Sequence, residues 1–384
     1  MAPAVAGPAA GHYLRAPHAS SPRPSPLAVM PRSGSTTMRA IVIHRHGGPN
    51  VLTLERAWPR PRPGPGEIVV RVTACALNYL DIFVRRGMPG EPTMFPAITG
   101  GDIAGVVDAA GEGVSRPRSG DRVVLNPTWG CGECEYCRDG ETPLCLKPRM
   151  LGELDPGGLA EFVKCPAMQA IPVPDDYPLE QAACLPITFG TAWRMLVTHA
   201  RVREGETVLV LGAGGGVGIA AVQIAKLRGA RVIATASTDD KHARLRTLGA
   251  DEKINYAADP AWDVTVRQLT GKRGADIVIE TIGAPTWAAS IRALGKRGRL
   301  VTCGATAGPE ASTDIRYLFR REQQILGSNG WTHDDLLEVT RLAFAGALVP
   351  VIDRVLPLER TAEGELALER REVFGKVVIR PGAS

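Results

Sequence analysis

Two rhythms of hydrophobic and polar positions divide the chain. From Met38 to about Pro174 short apolar runs at 40–44, 67–75, 105–111, 122–127 and 160–166 are separated by Gly and Pro clusters, with few helical stretches. Runs of that length between turn residues predict a compact β-rich unit, residues 38–174. From Asp175 the rhythm changes. Strand-like segments at 207–212, 231–235, 253–256, 275–281, 298–304 and 323–328 alternate with helical stretches at 217–230, 239–250 and 284–298. Strand and helix at this interval predict right-handed βαβ units and a parallel doubly wound sheet over residues 175–330. After Trp331 a helical stretch, 334–348, leads into strand-like 351–358 and 375–381. Residues 331–384 are expected to return to the first domain.

Residues 1–37 are rich in Pro, Ala, Ser and Gly and lack periodicity, so they are expected to form a disordered N-terminal extension. The 384 residues suffice for two domains, each burying its own core. No apolar run reaches the roughly 20 residues of a membrane helix, so a soluble, cytoplasmic protein without a membrane partner is expected. The formal charge is +5, but Arg15, Arg23 and Arg32 lie in the acid-free first 37 residues, which leaves +2 for the body. The remaining basic residues are scattered pairs such as Arg85-Arg86 and Lys296-Arg297, an arrangement that argues against nucleic-acid binding.

Cys131, Cys134, Cys137 and Cys145 follow the spacing C-x2-C-x2-C-x7-C within one loop. Four close thiolates suit a tetrahedral zinc with Zn–S distances of ~2.3 Å, and a full protein shell leaves no exchangeable position for chemistry. One structural zinc is expected. A disulfide pair or free thiols would be the alternative, and the absence of a secretory signal weighs against it. The other cysteines, Cys75, Cys165, Cys184 and Cys303, lie far apart and are expected to act as small buried hydrophobes. His44 and His46 are expected at the surface.

The strand at 207–212 runs into Gly212, Gly214, Gly215, Gly216, Val217 and Gly218 and then into a helix. In that context the glycines predict a dinucleotide site, with backbone N–H groups and the positive end of the helix facing the pyrophosphate. The second strand ends on Ala236 and Ser237, where an NAD enzyme usually carries a carboxylate for the ribose hydroxyls. Asp239 and Asp240 come later, as helix-start residues, and Lys241 is placed to reach a phosphate. NADP(H) is expected over NAD(H).

The motifs ALNYLDIFVRRG, TGGDIAGVVDAAG, GDRVV, the cysteine lobe, PITFGTAW, GAGGGVG, LGADEKINY and FGKVVI together resemble those of the medium-chain dehydrogenase/reductase superfamily, most of all its quinone oxidoreductase-like branch. The resemblance spans about nine-tenths of the chain. It implies an α/β protein with a GroES-like catalytic domain, a Rossmann cofactor domain and an active site between them. It also implies that Ser237, Lys241 and Tyr256 hold the 2'-phosphate, that Gly304, Asn329 and Lys376 contact the cofactor, and that the protein is a homodimer or homotetramer.

In the zinc alcohol dehydrogenases of this superfamily three residues hold a catalytic metal, and the matching positions here are Asn78, Gly101 and Ile187. None is an ordinary zinc ligand, and the proton-relay hydroxyl is matched by Leu80. The resemblance therefore implies hydride transfer from NADPH to a small electrophilic substrate, a conjugated C=C bond or a quinone, without a catalytic metal. Asn78 would offer its amide to the developing oxyanion, Tyr79 a proton, and Thr191 a position near the nicotinamide. Asp81 and Asp102 match residues with structural roles. Tyrosines of some quinone oxidoreductases are replaced here by Phe83 and Pro89, which sets quinones apart as substrates. Two alternatives remain: an NAD(P)-dependent alcohol or aldehyde dehydrogenase, and a cofactor-binding interaction or sensor protein with little turnover.

Overall fold

The computed structural model describes residues 35–88 and 93–382, and every element below belongs to the compact unit Thr36–Ser384. The expectations for residues 1–34 and for Pro89 fall outside the described residues. Thr37 already pairs with Pro59, so the first strand begins one residue before Met38.

The N-terminal half is built from β1 (Thr37–Val42), β2 (Thr53–Pro59), β3 (Glu67–Ala76), α1 (Tyr79–Arg86), β4 (Asp102–Ala110), β5 (Arg122–Leu125), β6 (Thr128–Trp129), α2 (Glu135–Arg138), β7 (Arg149–Met150), β8 (Phe162–Pro166) and β9 (Ala170–Pro172). β3 buries every apolar side chain it carries and opens only at Glu67, Arg71 and Thr73, and it is the hub of the sheet. It pairs antiparallel with β4, β8 and the last strand of the chain. The cysteine loop projects between β6 and β7, a two-stranded ribbon.

Two helices, α3 (Leu179–Ala182) and α4 (Pro186–Trp193), lead to the second half, and α4 continues into a π-helical turn, Arg194–His199. There follow β10 (Thr207–Val210), α5 (Gly216–Leu227), β11 (Arg231–Ala236), α6 (Asp239–Thr247), β12 (Glu252–Asn255), α7 (Trp262–Leu269), β13 (Ala275–Glu280), α8 (Ala284–Ala293), β14 (Leu294–Thr302), α9 (Ile315–Arg321) and β15 (Gln324–Gly327). The sheet order is β12-β11-β10-β13-β14-β15, parallel throughout. This is the doubly wound order in which strand direction of winding reverses beside the first strand, and the crevice at that switch point takes the ligand.

The helical stretch expected at 284–298 ends at Ala293 instead. Residues 294–297 enter β14, because Leu294 pairs with Ala275 across a register shift, with Arg297 at φ +58° absorbing the irregularity. The chain closes with α10 (His333–Phe344), β16 (Ile352–Pro357), α11 (Thr361–Glu369) and β17 (Lys376–Arg380). β16 and β17 join the sheet of β3, in the order β16-β17-β3-β4-β5-β9.

Each half buries a core of its own, as expected, and a further cluster joins the two. One hydrophobic cluster runs from Ala74, Ala104 and Val124 of the first sheet through Leu179 and Phe189 of α3 and α4 to Val208 and Val210 of the second. A further cluster fills the first sheet around Ile68, Val70 and Ile103, and another lies under Leu209, Ile233 and Val278. α3 packs its apolar side on β3, β4 and β5 and α4 packs on α5 and α10, so together they join the halves. No helix among the described residues is long and apolar enough to cross a membrane.

Candidate active site and metal centre

The ligand atoms of Cys131, Cys134, Cys137 and Cys145 all lie within 4.8 Å of one another, and the Cys134 and Cys145 sulfurs are 3.9 Å apart. A zinc tetrahedron with Zn–S of ~2.3 Å requires sulfurs about 3.8 Å apart, so the four residues fit the ion. Gly130 has to be glycine here: a Cβ would lie 2.4 Å from the Cys137 sulfur. Backbone N–H groups of Cys131 and Lys147 donate to the Cys145 sulfur at 3.1 and 3.3 Å, which favours a thiolate. The lobe is fastened to the rest of the molecule by Arg194, nearly fully buried, which pairs with Glu141 of the lobe and with Asp335 of α10 at 3.5 Å. Cys165, Cys184 and Cys303 are each pushed up to about 12, chiefly by burial, so they are neutral packing groups as expected. His44 and His46 are exposed, the former within 3.2 Å of Glu55.

A cavity of about 270 Å³ lies between the two sheets, at the switch point of the parallel one. Its floor is the turn from β10 into α5, with Gly212, Gly214, Gly215, Gly216, Val217 and Gly218 all lining it. Gly212 sits at φ +58°, and a Cβ on Gly218 would lie 2.4 Å from the Gly212 carbonyl. A Cβ on Gly216 would lie 2.6 Å from Thr188 Cγ2 and 3.1 Å from Lys376 Cδ. A side chain at 216 would crowd Thr188 and Lys376 at the cavity wall, and one at 218 would push α5 off the turn, so the bare backbone of this loop fits a dinucleotide.

One end of the cavity is polar. Ser237, Lys241 and Tyr256 line it, joined by Arg371, which the sequence reading missed. Arg371 lies in an irregular turn after α11 at φ +59°, far along the chain from the other three, and no local motif marks it. Thr238 is the N-cap of α6, accepting from the Lys241 N–H, while Asp239 and Asp240 occupy the first turn, where the dipole favours them. The Lys241 ammonium donates to the carbonyls of Arg371 and Val373 at 2.9 and 3.1 Å, and burial lowers its pKa.

At the other end stand Leu77, Asn78, Tyr79, Thr188 and Lys376. Asn78 caps α1 in a reciprocal box: its backbone N–H donates to Asp81 Oδ2 at 2.7 Å. Asp81 also accepts from the Gly100 N–H at 2.9 Å; burial raises it to about 6 although both N–H bonds oppose the shift. The Asn78 amide nitrogen donates to Asp102 Oδ2 at 2.9 Å and to the Ala76 carbonyl at 3.2 Å, and its oxygen accepts from the Lys376 ammonium at 2.5 Å. Lys376 completes a buried ion pair with Asp102 at 2.9 Å. Asp102 in turn accepts from the Ile187 N–H at 2.8 Å and so ties α4 to the same cluster. The expected picture of Asn78 needs correction on this point, because both amide hydrogens are committed to protein acceptors. Tyr79 faces the cavity, its ring edge-to-face with Phe83 at 5.3 Å.

Three expected residues lie off the cavity lining. Thr191 is buried in α4, and Thr188, one helical turn earlier, takes the lining position because α4 presents that side to the glycine loop. Asn329 donates its amide to the Pro143 carbonyl at 2.9 Å, holding the cysteine lobe instead of the cavity. Gly304 stands behind Thr281 and Thr306, which line the cavity in its place.

The positions matching the superfamily's metal ligands meet beside this cluster. A Cβ on Gly101 would lie 3.0 Å from Ile187 Cδ1 and 3.1 Å from the Leu151 carbonyl. The donor set they offer is a fully bonded amide, a glycine and a hydrocarbon, which does not fit a zinc ion.

Comparison with known proteins agrees with this architecture. Residues 64–175 match the alcohol dehydrogenase GroES-like domain family and residues 216–345 the zinc-binding dehydrogenase family. The acryloyl-coenzyme A reductase of Sulfurisphaera tokodaii is 32% identical, covering 90% of this chain and 100% of that protein. The quinone oxidoreductase of Rattus norvegicus is 29% identical over 90% of this chain and 99% of its own. The crystal structure of an NAD-dependent alcohol dehydrogenase superposes with a TM-score of 0.86 at 46% identity, covering 90% of this chain and 100% of that one. The chain belongs to the medium-chain dehydrogenase/reductase superfamily, with its GroES-like domain and Rossmann-type sheet. It is an oxidoreductase of a family that binds a nicotinamide cofactor.

Proposed function

We propose that the protein is an NADPH-dependent reductase that passes hydride to a conjugated C=C bond or a quinone, with zinc in a structural role only. The observation that carries this reading is the donor set at Asn78, Gly101 and Ile187, which meets beside the Asp102–Lys376 pair yet offers no metal ligand. Without a Lewis acid the substrate has to be electrophilic already, as an enone, an enal or an enoyl thioester is. NADPH supplies the hydride when bound; the chain supplies the rest. Ser237, Lys241, Tyr256 and Arg371 form the cationic and hydroxyl-rich end suited to a 2'-phosphate, and the glycine loop meets the pyrophosphate. At the reacting end the buried Lys376 ammonium, held by the Asn78 amide oxygen, lies where negative charge would develop on a substrate oxygen, and Tyr79, which lines the same end, would supply the proton. Similarity to an acryloyl-coenzyme A reductase supports a C=C bond as the target.

The test is NADPH consumption with conjugated enones, enals, enoyl thioesters and quinones, in the presence and absence of a chelator. Turnover insensitive to brief chelation is expected. The likeness to an NAD-dependent alcohol dehydrogenase makes the other outcome concrete. Oxidation of saturated alcohols that is abolished by chelation and restored by zinc would overturn the proposal. NADPH binding with no turnover of any such substrate would point to a sensor.

A further inference from the structure

Behind the cavity wall lies a buried cluster of charges that none of the chemistry above uses. Arg85, in the last turn of α1, has no exposed surface. Its Nε donates to Glu365 Oε2 at 2.5 Å, Nη1 to the Gly47 carbonyl at 2.6 Å, and Nη2 to Glu369. Glu365 is equally buried, and its second oxygen, Oε1, has no hydrogen-bond partner among the described residues. The pair joins α1 to α11, and these helices carry opposing parts of the cavity. Asn78 and Tyr79 stand at the start of α1, Leu368 in the last turn of α11, and Arg371 two residues beyond it. Between them α11 comes close enough that a Cβ on Gly364 would lie 2.8 Å from Leu77 Cδ1 and 3.0 Å from Val377 Cγ1.

The geometry points to Arg85 and Glu365 as positioning residues of the site: their buried pair holds α1 and α11 at the separation that places Asn78 and Tyr79 across from Leu368 and Arg371. The kinetic consequence rests on the reductase function proposed above; the mechanical one does not.

The charge balance explains why this tie is under load. The groups facing Glu365 are Arg85 and Asp81 from α1 and Glu369 from its own helix, so one buried cation serves two glutamates with a third carboxylate nearby. Arg86 offsets Glu369 from the solvent side at 2.9 Å, and His46 meets the end of α1 through the Val84 carbonyl at 3.1 Å. Burial pushes Glu365 up from 4.5 to about 7 against the pull of Arg85. A carboxylate raised by burial favours the closed arrangement in its protonated form. That advantage is complete below 4.5 and is lost as pH rises through about 7. If opening exposes Glu365, the open-to-closed ratio therefore rises on the order of tenfold between about pH 6 and pH 8.

The test compares the full-length wild type with Glu365→Gln and Arg85→Lys. Amide exchange in α1, corrected for its intrinsic pH dependence, is expected to accelerate on the order of tenfold from about pH 6 to pH 8 in the wild type. In Glu365→Gln, which cannot ionise at that position, the acceleration should shrink to about twofold, the part left to the buried Asp81 of the same helix. Arg85→Lys keeps the charge but gives up the fork, and its kcat with a conjugated substrate should fall about tenfold. An exchange profile in Glu365→Gln that matches the wild type would overturn the inference. So would a folded Arg85→Lys enzyme with unchanged kcat. If Arg85→Lys does not fold, the Gln variant alone decides. A pH-dependent exchange profile in a wild type that turns over no conjugated substrate would remove the reductase function and leave the tie standing.

Discussion

Lys376 places its ammonium 2.5 Å from the side-chain oxygen of Asn78, and that contact decides which way round the Asn78 amide stands. A lysine can only donate and an ionised Asp102 can only accept, so the amide oxygen must face Lys376 and the nitrogen must face Asp102. The Asn78 donors are therefore held in reserve, and a substrate oxygen has to compete with Asp102 and the Ala76 carbonyl for them.

Asn78→Ala separates the two roles this geometry allows. If an amide hydrogen turns to the substrate during the reaction, kcat should fall by about 10²-fold, the usual size of losing one oxyanion donor. The measurement is single-turnover hydride transfer with saturating NADPH. A melting temperature that drops while the rate is retained would leave Asn78 as a cap and a spacer for Lys376.

Lys241→Ala probes the choice of cofactor. Losing a charge-assisted contact to a 2'-phosphate costs about 1.5 to 3 kcal/mol, or roughly 10- to 150-fold in affinity, and should leave NADH binding almost unchanged. Titration of both cofactors by fluorescence checks this. Because Lys241 also holds the Arg371 and Val373 carbonyls, equal weakening of the two would assign it to tying that turn.

Metal content is the third prediction: about one zinc per chain, held by Cys131, Cys134, Cys137 and Cys145. Cys134→Ser should lose the zinc and lower the melting temperature before it affects hydride transfer, since the ion stabilises the lobe and takes no part in the reaction. Elemental analysis showing two zinc ions per chain would contradict the donor set at Asn78, Gly101 and Ile187.

Arg194→Met tests how the lobe is held. It removes the cation beside Asp335, which is left with the Thr198 hydroxyl and the Thr332 N–H, and frees Glu141, so unfolding free energy should fall by about 3 kcal/mol, the lower end for breaking a buried pair. Zinc should still bind. Denaturant titration and zinc analysis on the same sample check both halves, and unchanged stability would show that Asn329 and the β6-β7 ribbon suffice.

The cysteine spacing and the strand–glycine–helix sequence were legible in the chain because each is local: ligands within one loop, and a turn whose backbone needs no side chains. The same holds for the six-stranded sheet, whose alternating apolar and helical periods need no tertiary information to be read. The cavity ends were not legible in that way. Arg371 reaches the pocket only because α11 folds back onto the first sheet, and Thr188 replaces Thr191 only because packing chooses which side of α4 meets the glycine loop. The direction of the Asn78 amide depends on Asp102 and Lys376, 24 and 298 residues away. Local pattern thus determined most of the elements and marked the cysteine loop and the dinucleotide turn. Long-range pairing of buried charges, whose partners are found only when distant strands meet, decided how the side chains of the site are held.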